Sequence, residues 1–154
     1  MPSLTRKTAT LEKLKQLKTL RRDQLVSEHD VALERKRHAE DAFEKKERSY
    51  EKALSCFQAV TAAGEFIDVF QLDMASQSLS YCQHDLERAE QRLSQSNDEL
   101  HSASEKLQIG QGELNKVTRL EDKLVQQQLW TAERRQSVEA DNVALTKWWL
   151  SDRN

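Results

Sequence analysis

The stretch "LDMASQSLSYCQHDLERAEQRLSQSNDELHSASEKLQIGQGEL", Leu72 to Leu114, carries a leucine at every seventh position: Leu72, Leu79, Leu86, Leu93, Leu100, Leu107 and Leu114. A seven-residue apolar repeat sustained this long implies an α-helix held along one line by a partner helix. With the leucines at heptad position a, position d holds Ala75, Cys82, Ala89, Ser96, Ala103, Gly110 and Val117. One seam position is thus large and the other nearly always small. Small residues let two helices approach closely, and the leucines fill the space between them. A parallel dimeric zipper prefers leucine at d and β-branched residues at a. The pattern therefore favours an antiparallel partner within the same chain, with homodimerisation left open. A DNA-binding zipper needs a basic helix directly upstream, whereas the upstream "EFIDVFQ", Glu65 to Gln71, is acidic and apolar.

Composition points the same way. The chain of 154 residues is 32% charged, 37% hydrophobic and 6% aromatic, with three glycines and a single proline, Pro2. So few breakers and aromatics suit a few very long charged helices better than a compact core with many turns. The net charge of -2 names no polyanionic partner. Cys56 and Cys82 make no disulfide framework and suit a reducing cytosol. No secretory signal is visible, and no run approaches the roughly 20 apolar residues of a membrane span. The expectation is an all-α, cytoplasmic protein without direct membrane insertion.

The expected architecture is one antiparallel coiled-coil hairpin over residues 1–154. Helix one spans about 4–63, capped by Ser3 or Thr5, and the turn lies near Ala63–Asp68, around Gly64. Helix two spans about 69–148, with Asp68 as its cap. In helix one the leucines at 4, 11, 14, 17, 20 and 25 drift between spacings of three and four, giving an imperfect stripe. Beyond Val117 the second helix keeps Leu124, Thr131, Val138 and Leu145 at d but has Glu121, Gln128, Arg135 and Asn142 at a. Helix two is also the longer, so its end from about Leu129 is expected to overhang. Gly110 and Gly112, inside helix two, mark either a bend or close contact, or a tolerated weak spot.

Charge is segregated. The first 22 residues hold Arg6, Lys7, Lys13, Lys15, Lys18, Arg21 and Arg22 against a single Glu12. From Ala53 to Glu87 there is no Lys or Arg, and Phe66, Ile67, Val69 and Phe70 cluster near the turn. Two readings stand for that cluster: an interaction site, or packing over the turn. Two also stand for "KWWL", Lys147 to Leu150: docking onto a partner, or packing against Leu4 and Leu11. The basic strip lacks interleaved aromatics and any recognisable module, which argues against nucleic acid.

No catalytic, cofactor or metal constellation is visible. His29, His38, His84 and His101 have no metal-ligand spacing with Cys or with each other. No Gly-rich phosphate loop or nucleophile motif occurs. Cys56 and Cys82 read as small seam residues. The expectation is a non-enzyme without cofactors.

Three segments carry a resemblance. They are "LEKLKQLKTLRRDQ", Leu11 to Gln24; "GEFIDVFQLDMASQSL", Gly64 to Leu79, with the heptad helix after it; and "RLEDKLVQQQLWTAERRQSVEAD", Arg119 to Asp141. Together they resemble the FliJ, YscO and HrpO group, the small stalk proteins of type III secretion. The resemblance covers nearly the whole chain, although "KWWL" is not part of the pattern. It implies a coiled coil inserted in a hexameric secretion ATPase. Such a stalk promotes ring assembly and turnover, links the ring to an export gate protein at the inner membrane and, in some members, binds export chaperones. On that basis Lys13, Lys15, Arg21, Arg22, Arg134 and Arg135 are candidate ATPase contacts. Phe66, Ile67, Val69 and Phe70 are candidate export-gate contacts. A structural or adaptor coiled coil without an ATPase, such as a homodimer scaffold, is the alternative.

Overall fold

A computed structural model describes residues 4–62, 64 and 66–152, with side chains from Arg6 onward. It contains two helices packed against each other as an antiparallel hairpin: α1, Leu4–Thr61, and α2, Val69–Ser151. α1 ends two residues before the expected boundary, while α2 begins where Asp68 was expected to cap it and runs three residues past its expected end. The Phe70 N–H donates to Asp68 Oδ1 at 3.0 Å, and the Leu72 N–H donates to the Asp68 carbonyl at 2.9 Å. Asp68 thus satisfies an amide that the first helical turn leaves without an intrahelical acceptor. Gly64 has φ +69°, a conformation that glycine adopts without steric cost. Ser3 and Ala63 lie outside the described residues, as do the side chains of Leu4 and Thr5.

Contacts divide the chain into two compact units. One joins residues 1–22 to 109–154, and the other is 23–108 with the turn inside it. Both show the antiparallel pairing directly. In the turn unit, Arg35 faces Glu99 and Lys46 faces Asp85. In the terminal unit, Lys15 bonds Glu121 and Lys18 bonds Glu113. As numbers rise on α1 they fall on α2.

The α2 seam is where the leucines placed it. Leu72, Leu79, Leu86, Leu93, Leu100 and Leu107 are half-buried, and Leu114 is buried. Ala89, Gly110 and Val117 are the buried members of the d line. A two-helix seam has only one covering neighbour, so half-burial is the rule.

α1 corrects the sequence expectation. Its covered residues alternate by four and three from Leu11 through Lys15, Lys18, Arg22, Leu25 and His29 to Ala32, and on to Val60 with one break at Lys46, which is exposed. That is a regular heptad, hidden because basic residues and a histidine fill much of it. Leu17 and Leu20, expected in the stripe, are 63% and 61% exposed. Their three-residue spacing walks them off the contact line, since a seam requires an average of about 3.5 residues per step. Lysine and arginine can replace them because their aliphatic stems pack while the charged heads reach outward. At the seam, Lys15 meets the Glu121 of the opposite helix.

Removing a buried seam side chain should cost far more than removing an exposed leucine. Leu25, 4% exposed, cut to alanine should cost about 2–4 kcal/mol by urea unfolding. Leu17→Ala should stay within about 0.5 kcal/mol. A Cβ added at Gly112 meets no atom within 4 Å. Gly112→Ala should therefore stabilise the protein by about 0.5–1 kcal/mol in the same assay.

Candidate protein-binding surfaces

The turn unit presents an acidic, apolar surface. Phe66 is 89% and Phe70 70% exposed, and Ile67, Val69 and Met74 are exposed with them. The reading in which these side chains pack over the turn is overturned. α1 ends at Thr61, and the first turn of α2 carries its apolar groups outward. Around them stand Asp68 and Asp73, within the stretch that lacks Lys and Arg. Uncovered apolar clusters of this kind are candidate interaction sites.

The terminal unit offers a longer surface. Covered residues on α2 stop at Gln128, and every residue from Leu129 to Asp152 is exposed. The expected overhang is present. Trp148, Trp149 and Leu150 are all exposed, Trp148 at 63%, so "KWWL" does not pack against Leu11. The Arg134 guanidinium sits over the Trp130 ring, 5.3 Å from its centroid, in cation–π geometry. Beside the start of α1, an open trough of about 640 Å³ has Leu11, Leu14, Leu120 and Leu124 among its lining residues. Sequence reading missed this trough. Leu14 and Leu120 become visible as surface leucines only once the heptad register of each helix is known.

The six candidate ATPase contacts separate into two kinds. Lys13 and Arg135 are exposed. Arg134 is exposed and stacked on Trp130. Lys15 is half-covered and bonded to Glu121 across the seam, and this hydrogen bond is the main reason its pKa lies above the usual lysine value. Arg22 is half-covered at a seam position, and Arg21 is exposed; both interact within the fold. Arg21 also contributes to the field that lowers the Glu113 pKa, after the larger effect of the Lys18 hydrogen bond. Lys15 and Arg22 therefore belong first to the hairpin.

The histidines each lie near a carboxylate on their own helix: His29 by Asp30, His38 by Glu34, His84 by Glu87 and His101 by Glu105. Among the described residues, no group of three or more His, Cys, Asp or Glu could hold a metal ion. Cys82 sits half-buried on the seam as expected, but Cys56 is exposed. Among the described residues, no helix is long and apolar enough to cross a membrane. Comparison with protein-family models, curated proteins and solved structures yields no match.

The cross-helix pairs set a pH dependence. Lys46 donates to Asp85 at 2.7 Å, lowering the Asp85 pKa and raising that of Lys46. Carboxyls with lowered pKa values stabilise the fold above their unfolded pKa values, and lose that contribution as pH falls through the folded ones. Raised lysines stabilise below their ordinary value of 10.5 and lose the contribution as pH rises through the folded one. Melting temperature should therefore fall at both extremes. In an Asp85→Asn/Glu113→Gln variant, thermal unfolding followed by circular dichroism should begin at a lower temperature at pH 7. Its acid-side decline should also be shallower than that of the parent.

Proposed function

We propose that this protein is the non-catalytic coupling stalk of a bacterial type III secretion system, working in the cytoplasm beside the inner-membrane apparatus. It inserts its coiled coil into the hexameric secretion ATPase, promotes ring assembly and turnover, and links the ring to the export gate. Export chaperones are further partners that the resemblance suggests. The observation that supports this reading most is α2 running on uncovered past Gln128 with Arg134 and Arg135 on it. A two-helix cross-section of roughly 20 Å suits the bore of a ring, where a globular domain would not fit. Exposed basic groups complement an acidic lining, which favours orientation and encounter over raw affinity. The aromatic surface at the turn supplies a second, chemically different contact, suited to the gate.

The exposed Phe66 and Phe70 equally serve an adaptor coiled coil with no ATPase partner, so the test has to separate the two readings. The purified protein is mixed with the secretion ATPase of the same organism, and ATP turnover and ring assembly are measured. Stimulation that weakens about fivefold or more in Lys13→Glu/Arg135→Glu supports the stalk, a loss on the order of 1 kcal/mol. Both side chains are exposed, Lys13 on the outer face of α1 and Arg135 beyond the covered part of α2, so the variant keeps its hairpin. Absence of both binding and stimulation from a fully helical sample leaves the adaptor reading. Phe66→Ala/Phe70→Ala should preserve ATPase stimulation while lowering secretion in cells.

A further inference from the structure

We propose that the trough in the terminal unit and the uncovered α2 face continuing from it form one docking site for an acidic amphipathic helix. The inference rests on this surface alone and holds whether or not the protein is a secretion stalk.

The heptad geometry defines the line of the site. Leu124, Thr131, Val138 and Leu145 recur at seven-residue spacing along α2. Leu124 is half-covered, and the next three are exposed. The d line that α1 covers up to Leu124 thus continues bare. A second helix laid there would occupy the place that α1 leaves. The stretch 129–152 is nearly seven turns, or about 36 Å, long enough to seat such a helix. Trp130 and Trp148 flank the line on one side and are more than half exposed. Tryptophans of this kind are the usual energetic anchors of helix-in-groove contacts.

Charge selects the occupant. The leucine-floored trough has Arg6, Lys7 and Lys123 on its walls, and Thr10 and Gln127 complete it; among the described residues no carboxylate lines it. A second concavity of about 400 Å³ follows along α2. It adds Arg134 and Arg135 against a single Glu139, with Trp130 and Val138 as its apolar lining. An apolar stripe flanked by cations is complementary to a helix with leucine-type side chains on one face and Asp or Glu beside them. A nucleic acid would leave the leucine floor without suitable partners, and Asp141 and Glu139 would oppose its phosphates. A second copy of the overhang carries Arg134, Arg135 and Lys147 among Glu133, Glu139 and Asp141, so it lacks the continuous carboxylate flank that the basic-walled trough favours.

The test uses the full chain and a synthetic amphipathic helix of about 24 residues, with leucines at a and d and glutamates at the flanks. Its counterpart has lysines at those flanks, and neither contains tryptophan. The three tryptophans of the protein, Trp130, Trp148 and Trp149, report binding by fluorescence. The acidic helix should bind at least tenfold more tightly than the basic one. Leu14→Asp/Leu120→Asp should weaken it at least tenfold while helical content by circular dichroism stays unchanged, since both leucines are already exposed. Lys7→Glu/Lys123→Glu should reduce or invert the charge preference. Equal binding of the two helices, or none by a fully helical sample, overturns the proposal. So does a single-stranded oligonucleotide that displaces the acidic helix. A concentration-dependent dimer in sedimentation that disappears in the Leu14/Leu120 variant would assign the surface to a second copy instead. No ATPase is present, so the outcome is separate from that of the stalk test.

Discussion

Close approach along the heptad seam is the constraint on which the rest depends. Leucine recurs at a from Leu72 to Leu114, while d is kept small by Ala75, Ala89, Ala103 and Gly110. A pair of helices has no second layer to exclude water, so stability must come from continuity of this one line. Leu25, Ala32 and Ala53 on α1 and Ala89, Leu114 and Val117 on α2 are buried apolar points on it. The period also decides which residues face away. Leu17 and Leu20 are as apolar as Leu25, but stand outside because their spacing leaves the 3.5-residue line.

The polar groups on that line act mainly on register. Lys15 with Glu121, and Lys18 with Glu113, join opposite helices in the terminal unit; Lys46 with Asp85 does so in the turn unit. Partly exposed pairs contribute little net stability because solvent screens them. Mispairing would place a lysine against leucine or another cation, so their larger effect is on alternatives to the native alignment. This explains why α1 tolerates so many basic residues on its inner face. It also explains why the basic strip near the N-terminus is only partly available for binding: Lys15 and Arg22 look inward, while Lys13 remains on the surface.

A two-helix seam encloses little volume, so the chemically distinctive features among the described residues are surfaces. The turn unit supplies uncovered aromatics beside aspartates. The terminal unit supplies a basic-walled trough and a bare helical face with tryptophans. The two differ in charge, acidic around the turn and basic along the trough. The contrast was partly visible in the sequence as charge segregation. Exposure of Phe66 and Phe70 was not, because the same residues would serve equally well as a lid over the turn. The trough was not visible either, since Leu14 and Leu120 look like core leucines until the seam is known.

The sequence by itself determined the α2 seam, the turn around Gly64, the Asp68 cap and the bare end of α2. Each of these follows from local spacing, backbone preference or helix length, which need no knowledge of the partner surface. Only the tertiary structure decided the α1 register and the inward placement of Lys15, Lys18 and Arg22. It likewise settled the outward placement of Leu17, Leu20 and the "KWWL" tryptophans. A side chain that is part apolar and part charged can lie on either face of an isolated helix. Which face it takes depends on the groups opposite, here Glu121 for Lys15 and Glu113 for Lys18, and those are brought into reach only when the chain folds back.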